Sequence, residues 1–142
     1  ATPVVFVEEN ITATRYKNIL STYLTPMVDA LDEFYDAGAI FQQDNARAHT
    51  AHATLDWLDG KGITVLDWPA NSPDLNPTEN VFGALARRVY AGNRQFGTVA
   101  ALKEAIVEAW ADIDFDELEP YIDSMPDRME AVIASEGKPT RF

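Results

Sequence analysis

The chain has 142 residues, 46% of them hydrophobic, enough for one domain with a buried core. Its lack of cysteine excludes disulfides, thiolate metal sites and thiol nucleophiles, and fits a reducing compartment. With 11 Lys and Arg against 23 Asp and Glu the net charge is -12, which on composition alone argues against a phosphate-gripping surface.

The chain opens on Pro3-Val4-Val5-Phe6-Val7, an apolar run that reads as a strand and as the start of an excised piece, with no signal peptide. Thr12 or Asn10 can cap a helix through Tyr16, Ile19, Leu20, Tyr23 and Leu24. Pro26 either kinks that helix or opens a second segment through Val28, Leu31 and Phe34, which Gly38 ends. Ala39 to Gln43 reads as a second strand ending on Asp44. A helix through Ala51, Leu55 and Leu58 stops at Gly60, and Ile63 to Leu66 forms a third strand. The loop from Trp68 to Pro77 is dense in breakers. A helix then runs from Pro77 to about Tyr90, Thr98 caps another to about Ala111, and residues 116–121 and 125–134 supply short closing helices. Strands alternating with helices predict an α/β domain with parallel strands. No stretch is long and apolar enough to span a membrane.

Asp44 falls where a strand gives way to a helix, an edge from which a side chain can reach a crevice beyond the strand's carboxyl end. Its carboxylate can equally turn the chain by accepting a backbone N–H. Glu79 follows Asn76-Pro77-Thr78, so it can close a capping box with Asn76 or face Asp44 across the crevice. His49 and His52 share a helical spacing that could hold zinc, but no third nitrogen or sulfur ligand accompanies them. Arg87, Arg88 and Arg94 form the densest basic cluster, suited to phosphate contacts or to a solvated helix end. Trp57, Trp68 and Trp110 read as core. From Val99 onward 11 acidic residues face 4 basic ones, 4 - 11 = -7, so most of the excess acidity belongs to the late helices.

Two stretches, Phe41-Gln42-Gln43-Asp44-Asn45-Ala46-Arg47-Ala48-His49-Thr50 and Trp68-Pro69-Ala70-Asn71-Ser72-Pro73-Asp74-Leu75-Asn76-Pro77-Thr78-Glu79-Asn80, resemble the mariner superfamily of transposases. Ser124 to Met129 and Gly137 to Phe142 look like the same family. Between Asp44 and Glu79 lie 34 residues, the spacing of one branch of it. The resemblance implies a truncated ribonuclease H-like α/β fold of three strands with surrounding helices, over a partial catalytic domain covering residues 1–142. In this family two magnesium or manganese ions, about 3.5–4 Å apart, serve in-line attack on a DNA phosphodiester. Three carboxylates hold the ions, and Asp44 and Glu79 match the second and third, implying that their carboxyl groups approach within about 8 Å. Arg47, Arg87, Arg88 and Arg94 would contact DNA.

The bridging first aspartate, the first two strands and the DNA-reading helix-turn-helix of the family precede the matched stretches. Phe82 stands where the family has tryptophan, and Ala86 where a basic residue is common. Metal binding is therefore expected to be weak and cleavage by this chain alone absent. An unpaired strand edge also implies a homo-oligomer, unless Val4–Val7 slides in beside the Ile40–Gln43 strand. The expected location is nuclear or intracellular. Two other readings are a domesticated binding or assembly module without catalysis and, more remotely, a ribonuclease or resolvase.

Overall fold

The computed structural model describes residues 3–34 and 38–142, which divide into two compact units, Ala1–Ala70 and Asn71–Phe142. In the first, helix α1 (Ala13–Phe34) leads to strand β1 (Ile40–Phe41), helix α2 (His52–Gly60) and strand β2 (Thr64–Val65). The second holds α3 (Pro77–Val89), α4 (Val99–Ala111), α5 (Phe115–Asp123) and α6 (Met125–Ala134).

Helix α1 starts where Thr12 Oγ1 accepts the Arg15 N–H, leaving one fewer orphan amide in the first turn. It runs unbroken through Pro26, although proline cannot donate to the Thr22 carbonyl. Leu24 and Val28, one turn apart on either side of Pro26, are both buried with Tyr16, Leu20, Leu58 and Ile63. Burial of that stripe outweighs the missing bond, so the two segments expected around Pro26 are one helix. The expected apolar role of the Phe34 side chain lies outside the described residues.

Strands β1 and β2 pair in parallel, Ile40 with Thr64 and Phe41 with Val65. A parallel pair needs a crossover of a dozen or more residues, and α2 provides it. Both strands are two residues long, much shorter than their apolar runs. Residues 3–8 form no strand, and the described sheet is β1–β2 alone. The strand expected over residues 3–8 and the slide of Val4–Val7 against β1 are therefore both absent. An apolar run is a strand only where it joins a ladder, and residues 3–8 join none among the described residues, whereas the run at Ile63–Leu66 does form its strand, as β2.

In the second unit, Asn76 caps α3 and Thr98 caps α4, each side-chain oxygen accepting an amide of the first turn. Val89 packs on Ala105 and Ala109, with Leu85, Phe96, Leu102 and Ile106 around them. Arg128, 2% exposed, anchors a separate cluster. Its guanidinium donates to Ser124 Oγ (2.8 Å), the Asp74 carbonyl (2.8 Å) and Asn80 Oδ1 (2.7 Å), and it sits over the Phe142 ring. Thr140 N–H donates to the Asp74 carboxylate at 3.3 Å. Residues from the loop before α3, from α6 and from the tail thus meet on one buried cation.

Candidate functional site

Asp44 lies three residues beyond β1, at the mouth of a crevice of about 350 Å³. Gln43, Asn45, Thr50, Val65 and Trp68 line it, together with Asp67. Asn45 Nδ2 donates to the Trp68 carbonyl at 2.8 Å, tying the loop after β1 to the loop after β2. The Asp44 Oδ1 atom accepts the Ala46 N–H at 3.0 Å and lies 2.6 Å from His49 Nδ1. Asp44 thus makes the turn that its local sequence allows. Its Oδ2 atom makes no hydrogen bond among the described residues, so the turn leaves one oxygen available.

A buried chain backs this carboxylate. Tyr16 reaches across from α1, its ring stacked on the His49 imidazole at 4.0 Å, and its hydroxyl donates to Gln43 Oε1 at 2.9 Å. Gln43 Nε2 in turn donates to the His49 carbonyl. Burial, and secondarily the Asp44 charge, push the Tyr16 hydroxyl up to about 12. A folded-state value above the unfolded one favours the folded chain fully below pH ~10. That stability is lost at about 1.4 kcal/mol per unit as pH rises through 10 towards 12. In an alkaline absorbance titration the native chain should show a late-ionising tyrosine that Tyr16→Phe removes; identical curves would refute its burial.

Glu79 stands in the first turn of α3, where a carboxylate is favoured by the helix dipole. Asn76 Oδ1 accepts the Thr78 N–H at 3.1 Å, while the Asn76 N–H already donates to the Pro73 carbonyl at 2.9 Å. The reciprocal half of the capping box is therefore absent, and the exposed Glu79 carboxylate makes no hydrogen bond among the described residues. Asp44 belongs to the first unit and Glu79 to the second. Among the described residues no group of three or more His, Cys, Asp and Glu is gathered for a metal ion. His49 is turned to Asp44, and His52 lies exposed at the start of α2.

Of the four arginines singled out, Arg47, Arg87 and Arg94 are exposed, and Arg94 lies over the Phe96 ring. Arg88 is engaged within the fold, donating to the Asp112 carbonyl at 2.9 Å and to the Glu117 carboxylate. That hydrogen bond, first among the causes, holds Glu117 below the usual carboxylate range and raises Arg88. Trp57 packs against the first core. Asp67 and the Tyr16–Gln43–His49 chain escaped the sequence reading. A strand ending in Leu66-Asp67 mirrors Gln43-Asp44, which was the available signal for Asp67.

Residues 1–103 match the DDE superfamily endonucleases. The chain belongs to that family. Its relatives include the Tc3 transposase of Caenorhabditis elegans, 41% identical over 137 residues, covering 96% of this chain and 41% of the relative. The Tc1 transposase of the same organism is 36% identical over 128 residues, covering 90% of this chain and 45% of the relative. The solved catalytic domain of Mos1 transposase with raltegravir and manganese superposes with a TM-score of 0.78 at 30% identity, over 94% of this chain and 68% of that one. A pre-cleavage Mos1 transpososome superposes with a TM-score of 0.80 at 28% identity, over 94% of this chain and 40% of that one. This DDE-family chain thus has the ribonuclease H-like fold of the mariner and Tc1 transposases, and spans less than half the length of the curated relatives it matches.

Proposed function

We propose that this chain contributes two of the three carboxylates, Asp44 and Glu79, to a magnesium- or manganese-dependent centre that cleaves and transfers DNA strands. The observation that carries the reading is that local structure uses neither carboxylate fully. The turn occupies one Asp44 oxygen and leaves the other, and the α3 cap is complete without Glu79. Both residues fall within the stretch matched to the family. The donor set fits: carboxylate oxygens are the ligands that hard divalent ions take.

When bound, such ions activate the attacking oxygen and stabilise the leaving one. The chain's own contribution is to fix Asp44 in the turn that follows β1 and Glu79 at the start of α3. The exposed Arg47, Arg87 and Arg94 are suited to hold DNA phosphates, while the acid excess lies on the late helices. As 142 residues alone, the chain brings no match for the first carboxylate and should not cut DNA. The parent protein is proposed to act on DNA, as a homo-oligomer and in the nucleus or another intracellular compartment. The DNA part of that proposal is supported by the likeness to Mos1 in its paired-end complex with manganese.

Titrating the chain with manganese and following the free ion by paramagnetic resonance tests the reading. Weak binding should fall at least about tenfold in Asp44→Asn and drop in Glu79→Gln. Unchanged binding in both variants would refute the assignment. Nicking of supercoiled DNA by the 142 residues, abolished by Asp44→Ala, would overturn the expected inactivity.

A further inference from the structure

We propose that His49 is the positioning residue for Asp44, fixing which carboxylate oxygen is presented to the ion. The proposal rests on the reading of Asp44 as a metal ligand. A carboxylate free to rotate offers two equivalent oxygens and loses entropy when an ion selects one. In this chain the choice is already made. The Ala46 N–H and His49 Nδ1 both address Oδ1, at 3.0 and 2.6 Å, and neither addresses Oδ2.

The turn that returns the imidazole to the carboxylate is closed by the His49 and Thr50 amides, which both donate to the Ala46 carbonyl. One further contact holds the imidazole itself, and two hold its backbone and the ring it stacks on. Its face lies on the Tyr16 ring at 4.0 Å and 27°. The His49 carbonyl accepts from Gln43 Nε2, and Gln43 Oε1 accepts the Tyr16 hydroxyl. Gln43 and Tyr16 are 8% and 9% exposed, so the His49 backbone and the Tyr16 ring are both fixed by buried bonds. Swinging the imidazole away would forfeit the stacking as well as the Asp44 contact. A carboxylate oxygen only accepts, so Nδ1 must carry the hydrogen and the neutral ring keeps its lone pair on Nε2. A hydrogen bond of this kind behind a metal ligand sets its orientation, and its loss typically weakens metal binding 10- to 100-fold.

Two substitutions separate donor from ring. His49→Phe keeps a ring for Tyr16 and removes the donor; His49→Asn keeps an N–H at about the reach of Nδ1 and removes the ring. In the metal-free chain, side-chain nitrogen-15 spectra at pH 8 should show His49 protonated on Nδ1. Manganese affinity should fall about tenfold in His49→Phe, with an unchanged melting temperature, and return most of the way in His49→Asn. An Nε2-protonated ring, or native manganese affinity in His49→Phe while Asp44→Asn loses it, overturns the positioning role alone. Native affinity in Asp44→Asn would instead remove the ligand reading, and the positioning role with it.

Discussion

Arg128→Ala should lower the stability of the chain by about 3 kcal/mol, because it strips partners from three part-buried acceptors and empties a buried site. The Asp74 carbonyl, Asn80 Oδ1 and Ser124 Oγ all receive the Arg128 guanidinium, and a part-buried acceptor left alone costs towards the lower end of the about 1–3 kcal/mol of a buried one. Truncation also leaves a void beside the Phe142 ring. Against a typical total of about 5–15 kcal/mol this is a severe loss. Arg128→Lys should recover only part of it, since one ammonium cannot serve three acceptors spread over a planar fork. Urea unfolding followed by circular dichroism measures the difference. A loss under about 1 kcal/mol for the alanine variant would show that the guanidinium is not the anchor of this cluster.

The other large effect is expected in the first unit. Leu58 is fully buried on α2, in a cluster with Tyr16, Leu20, Leu24 and Val28 of α1 and with Ile63. Leu58→Ala removes apolar atoms from a close-packed site and should cost about 2–5 kcal/mol, depending on how far its neighbours collapse. Leu58→Met, nearly equal in volume, should cost less than about 1.5 kcal/mol. Equal losses for the two variants would mean that shape at this position, rather than filled volume, holds α1 against α2.

The starts of α3 and α4 were legible because their signals are local: Asn76 before Pro77, and Thr98 before an apolar run. The end of α2 at Gly60 and the span of α6 were legible for the same reason. Strand lengths were not. Apolar runs fix where a strand can form, but its extent depends on a neighbour supplying a ladder, and Val4–Val7 shows a strand-like run that forms none. Pro26 misled in the opposite direction, since burial of Leu24 and Val28 on one face is a tertiary effect. Asp44 and Glu79 could be singled out by resemblance, within stretches of ten and thirteen residues. What backs Asp44 could not, because Tyr16 lies 27 residues from Gln43 along the chain. Arg128 sat in a recognised stretch, but arginine is seldom fully buried, and nothing local marks this one as an exception. The Arg88–Glu117 pair, 29 residues apart, was hidden for the same reason.

The contact between Thr140 and Asp74 spans 66 residues, and it bears on the order in which the protein is made. The turn just ahead of Glu79 is bound on one side by Arg128 and on the other by the tail, so it cannot reach its final form during synthesis until Thr140 has cleared the ribosome. Closing so long a loop slows folding more than it costs stability. A ribosome stalled with Thr140 still in the exit tunnel would therefore carry a chain whose α3 can form as a helix but whose Asp74–Asn76 turn is still untethered.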